Sequence, residues 1–109
     1  MDILCIREES RIKGYYKNYN ISELLDKIDI ILTEYGFVGN EIKNDKKINS
    51  LYRIYKSLEG EIKVRFTKDN SRLIPLVLNN KEFKCPIYIE RRGISKSIDE
   101  QLLKEFEKI

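Results

Sequence analysis

The hydrophobic period changes several times along this chain, and each change marks an expected element. Ile21, Leu24, Leu25, Ile28, Ile31, Leu32 and Tyr35 fall on one face of a 3.6-residue repeat. Asn20 suits the N-cap with Glu23 at N3, Gly36 suits the left-handed position after the last turn, and Phe37 is placed to cover that turn. The spacing predicts a helix over 20–36. Ile48, Leu51, Tyr52, Tyr55 and Leu58 repeat at helical spacing and stop at Gly60, which predicts a second helix over 46–59. From Ile62 the period drops to two, with Ile62, Val64 and Phe66 alternating with Lys63, Arg65 and Thr67 before a turn at Asp69-Asn70-Ser71.

Leu73 to Leu78 is almost continuously apolar, and Asn79-Asn80 suits a two-residue hairpin turn because Asn tolerates positive φ. Phe83, Cys85, Ile87 and Ile89 then alternate with Lys84, Pro86, Tyr88 and Glu90, completing a three-strand antiparallel meander over 61–91. Pro75 and Pro86 cannot donate to a ladder, so each is expected at an open edge or a bulge. Ile3 to Ile6 reads as a buried strand, with Arg11 to Lys17 returning after the polar turn Glu8-Glu9-Ser10. Ser97-Ile98-Asp99-Glu100 forms a capping-box pattern ahead of Leu102, Leu103, Phe106 and Ile109, which predicts a third helix over 97–109. Leu25 and Phe106 are expected at the centre of the core. The fold class that follows is α+β, in which an antiparallel β-sheet, a three-strand meander plus the N-terminal strand, carries three helices packed mainly on one face. Residues 1–109 form a single domain.

Composition narrows the class. The 109 residues are 41% hydrophobic and 36% charged, a mixture that folds rather than stays disordered. No apolar run approaches the ~20 residues of a membrane span. The N-terminus meets Arg7 without a basic leader, so a cytoplasmic protein is expected. Cys5 and Cys85 lie in apolar stretches, where reduced thiols behave as small hydrophobes. Alanine, histidine and tryptophan are absent while Ile, Lys, Asn, Glu and Tyr abound, as A/T-rich codons dictate. That bias points to a low-GC bacterium, its phages or its mobile elements.

Absences also bound the chemistry. Without histidine there is neither the usual proton shuttle near neutral pH nor the commonest metal ligand. No serine elbow, phosphate-cradling Gly-x-x-x-x-Gly-Lys loop or Gly-x-Gly-x-x-Gly fingerprint occurs. Glu61-Ile62-Lys63 resembles the Glu-x-Lys half of restriction-type nucleases, where the carboxylate would hold Mg²⁺ and the lysine would steady a water. The resemblance covers three residues and recurs at Glu41-Ile42-Lys43, so no catalytic residue, metal or cofactor is assigned.

Charge carries more information. Residues 21–36 hold Lys27 against Glu23, Asp26, Asp29 and Glu34, whereas 61–93 hold eight basic residues against Glu61, Asp69, Glu82 and Glu90. The net +3 thus conceals an acidic first helix and a basic sheet. Lys63, Arg65, Lys84 and Tyr88 are expected to share the sheet face opposite the apolar residues. Arg11 to Tyr19 forms a second basic and aromatic cluster, with Tyr15 and Tyr16 as candidate contacts. Arg91, Arg92 and Lys96, around Gly93 and the start of the last helix, form a candidate anion-recognising corner.

The reading these features favour is a small non-enzymatic protein-binding domain of the inhibitor, immunity or anti-defence kind. The alternative is a nucleic-acid-binding domain that uses the basic sheet face. A pI of about 8.8 and plentiful carboxylates weigh against the alternative.

Overall fold

A computed structural model describes residues 3–7, 11–16, 20–47, 50–67 and 76–109. In chain order these form β1 (Ile3–Arg7), β2 (Arg11–Tyr16), α1 (Ile21–Glu34), β3 (Val38–Gly39), β4 (Lys43–Asp45), β5 (Ser50–Ser57), β6 (Gly60–Phe66), β7 (Leu76–Leu78), β8 (Lys81–Arg92) and α2 (Lys96–Glu107). The strands run β1-β2-β8-β6-β5-β3, with β4 also on β5 and β7 on β8, and every pairing is antiparallel. Both helices pack on one face of this sheet. The α+β character stands, but the expected three helices on a three-strand meander are replaced by two helices on a larger sheet among the described residues.

α1 begins and ends on the expected residues. The Asn20 side chain accepts from the Glu23 amide at 3.2 Å. Gly36 adopts φ +84°, which lets the Gly36 and Phe37 amides turn back onto the Thr33 and Leu32 carbonyls. α2 starts two residues earlier than the capping-box pattern implies. Ser95, not Ser97, is the cap, and its hydroxyl accepts from the Ile98 amide at 3.3 Å. Asp99 therefore lies in the first turn.

The expected helix over 46–59 is strand β5. Residues four apart share a face in a helix and also in a strand, so Leu51 and Tyr55 satisfied both periods. Leu58, counted towards the helical stripe, is fully exposed in the turn to β6. Tyr52, Ile54 and Tyr55 are β-branched or aromatic, the kinds that pack on a pleated surface.

The meander is also rearranged. β8 is twelve residues long and pairs with β7 at its start, then with β2 on one side and β6 on the other. β6 and β8 are direct neighbours, rather than separated by the intervening strand. The Asn79-Asn80 hairpin turn forms as expected, with φ 51° and 64°. A register shift between Gly14 and Tyr16 gives β8 one extra residue in the Lys84–Ile87 stretch, so Pro86 sits in a bulge. Glu8 to Ser10, Lys17, Tyr19, Ile48, the Asp69-Asn70-Ser71 turn, Leu73 and Pro75 lie outside the described residues.

The core lies between the helices and the sheet. Ile12 and Tyr16 of β2, Ile62, Val64 and Phe66 of β6, and Ile87 and Ile89 of β8 meet Leu24, Ile28 and Leu32 of α1 and Leu102 and Phe106 of α2. Phe106 is central as expected. Leu25 is only partly buried, and Leu24 takes the inward position. Among the described residues no helix is long and apolar enough to cross a membrane.

Candidate binding face

Alternation along the strands sends the other half of their side chains to the face that neither helix covers. Register aligns these side chains in rows, because directly paired residues of antiparallel strands share a face. One row runs Lys43, Tyr52, Arg65, Tyr88 and Lys13 across β4, β5, β6, β8 and β2. The next runs Ile54, Lys63, Glu90 and Arg11, and a third Lys56, Glu61 and Arg92. Basic residues outnumber Glu61 and Glu90.

The two tyrosines of the first row are held by cations. The Lys63 ammonium lies 4.7 Å from the centre of the Tyr52 ring, and the Arg65 guanidinium 5.4 Å. The Arg11 guanidinium lies 5.6 Å from the centre of Tyr88. Such contacts fix the rings and keep the charges near the sheet surface. Arg65 is buried and well engaged. Its Nη1 donates to Asp45 Oδ2 at 3.1 Å and to Ser50 Oγ at 3.0 Å, and its Nε lies 3.9 Å from Glu90 Oε1. It therefore organises the face rather than offering a charge to solvent.

The residues singled out from the sequence divide accordingly. Lys63, Arg65 and Tyr88 share the uncovered face as expected from alternation. Lys84 does not. The bulge shifts its phase, so it pairs in register with Tyr16, whose side chain is buried in the core. Tyr15 points the other way and is half-buried. Arg91 and Arg92 are successive strand residues and so face opposite sides. Arg91 pairs in register with buried Ile62 and forms an ion pair with Asp99 of α2, while Arg92 pairs with Glu61 on the uncovered face. Lys96 opens α2 and is exposed. The three do not converge on a single corner.

Glu61 has Lys56 and Arg92 as its cross-strand neighbours, not a second carboxylate. Among the described residues no cluster of three or more Cys, Asp or Glu side chains is placed to hold a metal ion. The Glu-x-Lys resemblance gains nothing from this geometry. Cys85 carries a reduced, half-buried thiol, with its Sγ 3.3 Å from the Ile87 carbonyl.

Sequence reasoning missed Arg11, Lys13, Tyr52 and Lys56 as members of the face. The alternation of Arg11 and Lys13 with Ile12 held the signal for β2, and assigning β5 to a helix hid the other two. It also missed a cleft of about 210 Å³ on the helix side, floored by Ile28, Val64 and Phe66. There the Tyr55 hydroxyl donates to Asp29 Oδ1 at 2.7 Å, and Arg53 donates to the same oxygen at 3.4 Å and to the Asn40 carbonyl at 2.6 Å. Burial, and then the Asp29 carboxylate, push the Tyr55 phenol well above its ordinary range.

Comparison with known protein families, with curated proteins and with solved structures finds no match to this chain.

Proposed function

We propose that this protein is a non-enzymatic binding domain whose uncovered sheet face engages an acidic surface of another protein. The observation that carries the reading is the row Lys43, Tyr52, Arg65, Tyr88, Lys13, in which tyrosines alternate with cations across five strands. Tyrosine is prominent in the energetics of protein interfaces because it presents a large contact area with few rotamers to freeze, and arginine because its guanidinium makes several directed hydrogen bonds. Rigid strands and cation–ring contacts hold them in place before any partner arrives, which lowers the ordering cost of association. The excess of basic residues on this face selects an acidic partner and steers its approach.

A nucleic acid is the second reading. Bases stack on uncommitted ring faces. Here Tyr52 and Tyr88 already carry cations, and Glu61 and Glu90 interrupt the basic field that a phosphate backbone would follow. Both features favour protein over nucleic acid. An inhibitor, immunity or anti-defence role fits a small domain of this kind encoded in an A/T-rich genome.

Affinity capture from a low-GC bacterial lysate tests the reading when three baits are compared: the natural protein, a Tyr88→Ala/Arg11→Glu variant, and a Lys27→Glu variant on α1. A protein retained after nuclease treatment by the first and third baits and lost by the second supports it. Retention that disappears with nuclease, or that ignores the face variant, contradicts it.

A further inference from the structure

Within the uncovered face, β2, β5, β6 and β8 border a depression of about 370 Å³ lined by Arg11, Ile54, Glu61, Lys63, Glu90, Arg91 and Arg92, of which Arg91 is engaged by Asp99 on the helix side. Apart from Arg91, three cations and two carboxylates share the lining, yet they do not neutralise one another. Lys56, outside the depression, approaches Glu61 at 3.9 Å, and buried Arg65 approaches Glu90 at 3.9 Å. Arg11, Lys63 and Arg92 form no ion pair or side-chain hydrogen bond among the described residues, Arg11 and Lys63 making only their contacts with tyrosine rings. The carboxylates are thus compensated from outside the depression and the lining cations are left for an incoming anion.

We infer that this depression is the anchoring pocket of the face, and that it seats clustered carboxylates, the Glu or Asp side chains of the acidic partner. The inference rests on the protein-binding reading above. Arg11, Lys63 and Arg92 reach the pocket from three different strands, so they surround an occupant rather than meet it along one edge. Each guanidinium offers a planar fork suited to a carboxylate, and Lys63 adds a compact point charge. Ile54 and the methylene stems of the cations give an apolar lining against which the stem of a glutamate packs. The volume exceeds that of a single side chain, and three cations without a carboxylate partner match more than one carboxylate. Desolvation inside a concave site strengthens each contact relative to the flat surface around it.

The test is an amide-resolved NMR titration of the full chain with a capped hexaglutamate peptide, with inorganic phosphate and hexathymidylate as parallel probes. The expected result is that hexaglutamate at low salt moves the amides of Arg11, Lys63 and Arg92 most. Lys63→Glu/Arg92→Glu should weaken it roughly tenfold or more, while Lys27→Glu, an exposed cation on α1 away from the face, should change it less than about threefold. The amide spectrum of each variant verifies that it is folded. Peptide binding that shifts other residues of the face and leaves those three still overturns the pocket alone, and the face reading survives. Phosphate binding tighter than the peptide overturns the carboxylate occupant. Absence of any peptide binding, or hexathymidylate binding tighter than the peptide, overturns pocket and face together.

Discussion

Arg91 of β8 and Asp99 in the first turn of α2 form an ion pair whose side chains are only 8% and 13% exposed. It lies at the edge of the core, fixing the last helix to the central strand, and Arg92 beside it turns to the opposite face. Neighbouring arginines therefore have different tasks. Removing one partner of a buried pair leaves an uncompensated charge, whereas replacing both does not. Arg91→Leu should cost about 3 kcal/mol, Arg91→Leu/Asp99→Leu clearly less, and Arg92→Gln under about 0.5 kcal/mol. Urea denaturation of the three variants measures this. A loss below about 1 kcal/mol for Arg91→Leu would show that the pair does not hold α2.

The core predictions separate adjacent leucines. Leu24 is buried and Leu25 partly exposed on α1, while Phe106 is buried on α2. Leu24→Ala and Phe106→Ala should each cost roughly 2–5 kcal/mol, and Leu25→Ala appreciably less. Equal losses at Leu24 and Leu25 in the same denaturation experiment would mean that α1 is rotated from the position described.

Tyr55 gives the fold a dependence on alkaline pH. Its phenol is harder to ionise in the folded protein than in the unfolded chain because burial and the Asp29 carboxylate disfavour the phenolate. A pKa raised on folding contributes stability that is complete below the unfolded value of about 10 and shrinks as pH climbs from there towards the folded value. The natural protein should therefore exceed Tyr55→Phe by about 1.5 kcal/mol near neutrality, the lower end for a hydrogen bond to a charged group. That advantage should fall above about pH 10. Denaturation midpoints across the alkaline range measure it, and a gap that stays constant would contradict the assignment.

Gly60 is a backbone prediction that also bears on the pocket. It adopts φ +146° at the first position of β6, and an added Cβ would stand 2.5 Å from the Arg92 carbonyl. Gly60→Ala combines an unfavourable dihedral with a clash against main chain and should cost roughly 1–3 kcal/mol. Thermal unfolding of the variant at unchanged stability would show that the turn relaxes freely.

Much of this architecture was legible where one rule acted alone. The caps of α1, the Asn79-Asn80 turn and the bulge at Pro86 each depend on local stereochemistry, and each lies where its residues imply. The alternation of Ile62, Val64 and Phe66 with Lys63 and Arg65 likewise separated covered from uncovered face. β5 was not legible because its Leu51 and Tyr55 satisfy two periods, and only pairing with β6 decides between them. Lys84 was misplaced because a bulge reverses the phase of everything before it. Arg91 was assigned with Arg92 to an anion-recognising corner, although the alternation of Ile87 and Ile89 already pointed it inward. Which strand neighbours β8 depends on contacts distant in sequence, so the rows of the binding face could not be assembled beforehand.

On the proposed reading, the face uncovered by the helices binds an acidic protein surface. Calorimetric titration of the captured partner, at low and at high salt, into the natural protein and into Arg11→Glu/Lys63→Glu/Arg92→Glu tests it most directly. The reversed variant, folded by its amide spectrum, should lose roughly a hundredfold or more in affinity at low salt, and the deficit should narrow as salt screens the charges. Equal affinity of the two proteins at low salt would contradict it.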